Sequence, residues 1–156
     1  PTWDYRYYYE NGHYALGNKL EADSGQQIVN YPKQHIENGK IKNAETQRRF
    51  KRLTRVFKKL RYKMISDGLQ VDDAVTSFLL ECLVWNTPNY VFAEIDWNAR
   101  VREAIRYLYH QTTSDDQCKE WVEVSKELYL FQGGRKWTRQ GVNLFLVSAW
   151  NYLEFE

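Results

Sequence analysis

Long apolar runs are missing from this chain. No stretch of about 18 apolar residues occurs among its 156 residues, which excludes a membrane-spanning helix. The opening residues, PTWDYRYYYENG, lack the charged-then-apolar layout of a secretory signal. A cytoplasmic protein with no membrane partner is therefore expected. Cysteine is scarce: Cys82 and Cys118 lie far apart, without Cys or His neighbours at ligand spacing, so reduced thiols are expected rather than a disulfide framework. His13, His35 and His110 sit in unrelated segments with no HxxxH or CxxC spacing, which leaves no metal site to assign. A GxSxG elbow, a phosphate-loop glycine pattern and an Asp-x-Asp pair for magnesium are absent too; Asp72-Asp73 and Asp115-Asp116 read as caps and loop charges. By itself the chain shows no complete active site and no catalytic residue.

Aromatic residues are abundant, with 12 Tyr, 7 Phe and 6 Trp, which argues for a packed core. The formal net charge of +2 hides a strong asymmetry. Residues 40 to 63 carry 11 of the 22 Lys and Arg and one of the 20 acids, Glu45, so that segment stands at +10 and the remainder at −8. Charge so concentrated suits an anionic partner.

The first thirty residues read as strand and turn. WDYRYYY is rich in β-favouring aromatics, Asn11-Gly12 is a hairpin signal, and HYALG is the return strand. EADSGQQIVNYPKQHIENG, residues 21 to 39, reads as a connecting loop. From about Asn43 to Ser66, Phe50, Leu53, Phe57, Leu60 and Met64 recur at helical spacing, Arg48, Lys51, Arg52, Arg55, Lys58 and Lys59 form a ridge mostly opposite, and Gly68 ends the helix. A buried helix is expected from about Asp73 to Trp85, capped by Asp72 or Asp73. Asp96 should cap the next, CKEWVEVSKELYLF gives a short fourth, and Thr138 opens the last, with Val142, Phe145, Ala149, Trp150 and Leu153 inward. The fold class is thus mainly α: a short N-terminal β-hairpin remnant, residues 1–30, followed by a helical bundle, residues 31–156.

The basic ridge has two readings. Cations at 51, 55 and 58, one turn apart, can grip the phosphates of a nucleotide or of a nucleic-acid backbone, or the ridge is a solvated face. The scarcity of compensating acids favours phosphate.

NYPKQHIENGKIKNAETQRRFKRLTRVFKKLR, TSFLLECLVWNTPN and the closing WTRQGVNLFLVSAWNYLEF resemble the C-terminal half of bacterial nucleotidyltransferases of the oligoadenylate-synthetase and cyclic GMP-AMP-synthase-like group, which make cyclic oligonucleotide signals in anti-phage defence. PTWDYR looks like the continuation of the strand that carries that family's last metal-binding aspartate, so the resemblance implies a chain starting just after it. It further implies a division of labour: an N-terminal half supplies carboxylates, two Mg2+ ions and the attacking hydroxyl, and a helical half holds the nucleoside triphosphate. The implied partners are that triphosphate and the chain's own N-terminal catalytic half, with magnesium expected only there. Position by position, Lys58 matches the family's phosphate-binding lysine, Ser77 the serine that donates to the same group, and Asn43 and Thr46 its KN-T element. From the residues alone Asn43 is a helix cap, and Lys59 competes with Lys58 for the cleft. Tyr31, Trp3 and Tyr5 are candidates for stacking on a nucleobase. Glu81, in an apolar helix, needs a Lys or Arg partner. The alternative is a stand-alone basic module that binds nucleic acid or regulates.

Overall fold

The computed structural model describes residues 2–156; Pro1 lies outside the described residues. Three strands come first: β1 (Thr2–Tyr8), β2 (Tyr14–Glu21) and β3 (Gln27–Asn30), antiparallel in the order β1-β2-β3. The hairpin forms about Asn11-Gly12 as expected, with Tyr8 opposite Tyr14 and Gly12 in the left-handed region at φ 81°. The segment read as a loop contains more order than its composition suggested. Residues 27–30 pair with β2, and helix α1 (Pro32–Glu45) follows directly. Pro32 occupies the first helical turn, where its missing N–H has no consequence.

Helix α1 escapes a periodicity search because its inward face is polar. Asn38 donates to the carbonyls of Val124 (2.9 Å) and Ser125 (3.1 Å), Gly39 lies against Val124 and Phe50, and Lys42 is buried. The single helix expected over residues 43–66 is broken. Gln47 and Arg48 take φ of 52° and 65°, and α2 (Arg49–Ser66) starts after them. Asn43 and Thr46 repair the break: Asn43 Oδ1 accepts from the amide of Lys51 (3.1 Å) and Thr46 Oγ1 from that of Phe50 (3.0 Å), two of the donors that open α2. Asn43 is a cap as expected, acting from the end of the preceding helix. Thr46 is a cap too, 4% exposed, with its own hydroxyl proton given to Lys42 O.

The α2 stripe Phe50, Leu53, Phe57, Leu60 and Met64 is buried, and Gly68 (φ 88°) closes the helix as Leu69 N–H reaches back to Met64 O. Helix α3 (Ser77–Asn86) begins later than expected and is capped by Thr76, whose Oγ1 accepts from Leu79 N; Asp72 only closes a turn on Ala74 N. After a 3-10 turn at Asn89–Ala93 comes α4 (Trp97–Gln111), capped by Asp96, then α5 (Asp115–Cys118). The fourth helix expected at 118–131 does not form beyond α5. That stretch doubles back on itself, Val122 bridging Tyr129 and Lys126 turning at φ 66°, because Trp121, Val124 and Leu130 reach the core from an extended chain. Helix α6 (Arg139–Tyr152) starts on Thr138 as expected. Val142, Phe145 and Ala149 are buried, with Trp150 and Leu153 packed against the core at its margin.

The sheet has two unlike faces. Ala15 and Gly17 of β2 are buried beneath the helices, while Leu16, Leu20 and Ile28 on the opposite face stand 37–43% exposed. Both cysteines are free and buried, and burial pushes the Cys82 thiol up to about 12, which leaves it unreactive. Among the described residues no helix is long and apolar enough to cross a membrane.

Candidate functional site

Thr76 satisfies Leu79 N through its hydroxyl and Leu80 N through its carbonyl, and exposed Ser77 holds the first helical position of α3. Helical geometry places Glu81 one turn below Ser77 on the same face. Lys58 reaches across from α2, its Nζ donating to Glu81 Oε2 at 2.8 Å, and His35 of α1 approaches Oε1 at 3.4 Å. Glu81 thus has the cationic partner that its position demanded. The hydrogen bond from His35, reinforced by Lys58 and opposed by burial, holds its carboxyl down at about 2. The Lys58 ammonium is therefore paired rather than free, though its side chain keeps 33% of its exposure. One of its three N–H donors goes to Glu81, which leaves two for an incoming oxygen. Lys59 is exposed on the other flank of α2.

Lys51, Arg55 and Lys58 share one face of α2 by their spacing, and Lys51 and Arg55 are exposed without an ion pair among the described residues. The positive segment is not all ridge. Lys42 is 9% exposed, donates to Thr87 O at 2.8 Å, and lies 5.2 Å and 5.5 Å from the ring centres of Trp85 and Phe92. Arg49 donates to Phe92 O (3.1 Å), as does buried Arg100 of α4 (3.0 Å). These three cations tie together the turn that follows α3.

His35 stacks on Phe78 (centroids 5.7 Å apart, planes at 28°), and Phe78 is also a wall of a wide hollow. A cavity of about 790 Å³, lined by Tyr5, Tyr7, Tyr31, Phe78, Glu123 and Trp137 among others, adjoins one of about 450 Å³ to which His35 contributes. Of the proposed stacking residues, Tyr5 and Tyr31 meet edge-on (6.4 Å, 70°) at this hollow. Trp3 is 46% exposed and lines neither cavity. Tyr31 is 4% exposed, and burial raises its hydroxyl to about 12. Its seat is made by Gly17, where a Cβ would stand 2.7 Å from Asn30 O and 2.9 Å from the Tyr31 ring. Gly17→Ala is expected to cost ~1–3 kcal/mol and to swing Tyr31 out of the cavity wall; a thermal melt and the near-ultraviolet tyrosine signal check it.

The charged parts of the wall escaped sequence reading. Glu123 lay inside a stretch read as helix, and its partner Arg135 (2.9 Å) is remote in sequence and follows Gly133-Gly134. His35 lies three residues after Pro32 in PKQH, and neither composition nor spacing marks it as part of the wall. No three His, Cys, Asp or Glu side chains converge on a metal position among the described residues. The described residues do not fit a magnesium site.

A three-stranded antiparallel sheet leading into helices, with α2 and α3 tied by the Lys58–Glu81 pair, belongs to a known architecture. Residues 37–154 match the cGAS/DncV-like nucleotidyltransferase C-terminal helical domain, and the chain belongs to that family. It is 60% identical over 156 residues to the cyclic dipyrimidine nucleotide synthase CdnE of Cecembia lonarensis, a match covering 99% of this chain and 53% of that protein. It is 35% identical to the Legionella pneumophila synthase of the same name, over 99% of this chain and 52% of the relative. The chain thus spans about half the length of these curated relatives. The structure of Elizabethkingia meningoseptica CdnE cyclic dinucleotide synthase with GTP and Apcpp superimposes with a TM-score of 0.90 at 31% identity, covering 99% of this chain and 56% of that one.

Proposed function

We propose that this chain is the substrate-holding part of a nucleotidyltransferase that joins nucleotides into a cyclic signal, with residues 31–156 gripping the nucleoside triphosphate. Residues 1–30 would then extend a core sheet completed by a carboxylate-bearing half. The observation that carries the reading is the pairing of Lys58 of α2 with Glu81, one helical turn below Ser77 on α3, where the next residue, Phe78, walls an aromatic hollow. In this scheme the triphosphate lies at the α3 N-terminus, where Ser77 Oγ and the first-turn amides donate and the helix dipole favours an anion. Lys58 supplies a mobile point charge, held in place by Glu81. Asn43 and Thr46 act indirectly, by fixing the start of α2.

The chemistry is attack of a hydroxyl on the α-phosphate of a bound triphosphate with pyrophosphate as the leaving group, and its magnesium would be held by carboxylates of the other half. The C. lonarensis and L. pneumophila relatives, both named as cyclic dipyrimidine nucleotide synthases, support the product class, and the E. meningoseptica structure with GTP and Apcpp supports the substrate class. A role in anti-phage defence, in the cytoplasm, belongs to the same proposal. The apolar sheet face of Leu16, Leu20 and Ile28 supports a partner half.

Calorimetric titration tests the reading: ATP or another ribonucleoside triphosphate, and inorganic tripolyphosphate, are expected to bind and to compete with each other. Binding of neither would contradict it. A second reading, a phosphate backbone tracked along α2, is favoured by unpaired Lys51 and Arg55. It predicts binding of a nucleic-acid oligomer with a steep salt dependence, against a shallow one for a mononucleotide.

A further inference from the structure

Helices α4 and α6 contribute no residue to the two hollows described above. They run antiparallel: Asn143, in the first turns of α6, donates to Tyr109 O (3.1 Å) and Thr112 Oγ1 (3.0 Å) at the end of α4. Between them lies a groove of about 320 Å³. Ile105 and Leu146, both fully buried, form its floor, and Tyr109, Val147 and Trp150 form its sides. Trp150 is braced from behind by the edge of Phe155 (5.3 Å, 68°), so the apolar trough is built before anything enters it. Tyr109 and Val147 are exposed, and Leu144, one turn before Val147, stands 67% exposed on the outer shoulder of α6.

The charge along the groove is one-sided. Arg102, Arg106 and His110 follow one another at four-residue steps on α4, all exposed, and Arg106 and His110 line the groove itself. Arg106 gives Nη2 to Glu103 at 2.6 Å, which leaves its other N–H donors for a second carboxylate. Arg102 has no ion pair among the described residues. No acid lines the groove, and α6 has none from Arg139 to Tyr152. A trough between two helices, apolar along its floor, is the seat of a third helix laid along it by its apolar stripe. The cationic edge on one side asks for acids on one flank of that helix. A bilayer surface cannot follow a concave floor, and a second copy related by a two-fold axis would set this cationic edge against itself.

We infer that the α4–α6 groove docks an amphipathic helix of a partner protein: its apolar stripe covers Ile105, Leu146 and Trp150, and acids on one flank meet Arg102 and Arg106. The site is separate from the nucleotide reading and stands or falls without it. Val147 and Tyr109 mark its open sides, and Arg106 sets which flank of the incoming helix faces α4.

Fluorescence anisotropy tests it with a labelled model helix of about five turns, carrying Leu along one stripe and Glu on one flank, and a twin with Lys in place of every Glu. The Glu peptide is expected to bind the wild-type chain, and the Lys twin about tenfold more weakly. Val147→Arg, at the exposed side of the groove, should cost the Glu peptide about tenfold while a thermal melt stays unmoved. Arg106→Glu should reverse the preference between the two peptides. Should Val147→Arg unfold the chain, Arg106→Glu decides alone, since that side chain already stands mostly in solvent. The assignment is overturned if the Glu peptide fails to bind, if the twins bind alike, or if binding survives Val147→Arg and so belongs to the basic ridge of α2. Two further measurements can overturn it: cosedimentation with phosphatidylglycerol vesicles, and sedimentation velocity of the chain alone. Vesicle binding or self-association that disappears in Val147→Arg would give the groove to a bilayer or to a second copy.

Discussion

Lys58→Ala is expected to weaken binding of a nucleoside triphosphate by about 10- to 100-fold, the scale of a lost charge-assisted contact to phosphate. Folding should survive the change. The pair with Glu81 is partly exposed on both sides, and Glu81 keeps His35, so the stability cost is ~1 kcal/mol. Lys59→Ala, removing a cation one residue along on the exposed flank, controls for general electrostatics and should change affinity less than threefold, the scale of a screened surface charge. Equal losses in the two variants would make the ridge a diffuse attractor rather than a site. The experiment also addresses whether Glu81 holds the ammonium for the ligand or away from it. With Glu81→Gln, holding predicts weaker triphosphate binding, and competition predicts tighter binding.

Lys42→Ala carries the largest expected effect on stability, ~2–4 kcal/mol, seen as a fall in Tm or in the denaturant midpoint. Its four-carbon stem packs in the core, and its ammonium is the donor to Thr87 O, a buried carbonyl that the substitution leaves unpaired. The same lysine makes stability depend on pH. Burial, opposed by Glu45, lowers its pKa from 10.5 to about 8. The unfolded chain therefore holds this proton more tightly than the folded one, and stability rises from pH 8 toward 10, by ~2 kcal/mol, as the ammonium becomes easier to discharge. Tyr9 and Tyr31, both held up at about 12, act in the opposite sense above pH 10, where folding favours their protonated form. Denaturant unfolding at pH 7.5, 8.5 and 9.5 in wild type and Lys42→Met shows whether the rise belongs to Lys42. It should vanish in the variant.

Residues with an apolar period were legible in the sequence, and residues buried for polar reasons were not. The α2 stripe, the Asp96 and Thr138 caps and the Gly68 stop all follow from spacing and backbone preference, and the structure keeps them. Helix α1 was hidden because Asn38, Gly39 and Lys42 seat it, none of which a hydrophobic pattern registers. The break at Gln47-Arg48 was hidden for the converse reason: the apolar stripe begins at Phe50, while the two left-handed residues before it carry ordinary side chains. At the candidate site, Lys58 and Ser77 were pointed to by the family resemblance, and Glu81 by its place in an apolar helix, which called for the cation that Lys58 supplies. Glu123 and Arg135 could not, since only the doubled-back course of residues 118–131 brings them into the cavity wall.

The central claim is that the triphosphate rests on the first turn of α3 rather than along α2. Amide chemical shifts of the isotope-labelled chain, followed through a titration with ATP or the tightest-binding triphosphate, test it directly. The account predicts saturating shifts centred on Ser77 and Phe78 with the Lys58 side-chain signal moving in step. Shifts spread along Lys51, Arg55 and Lys59, with Ser77 and Phe78 unmoved, would contradict it.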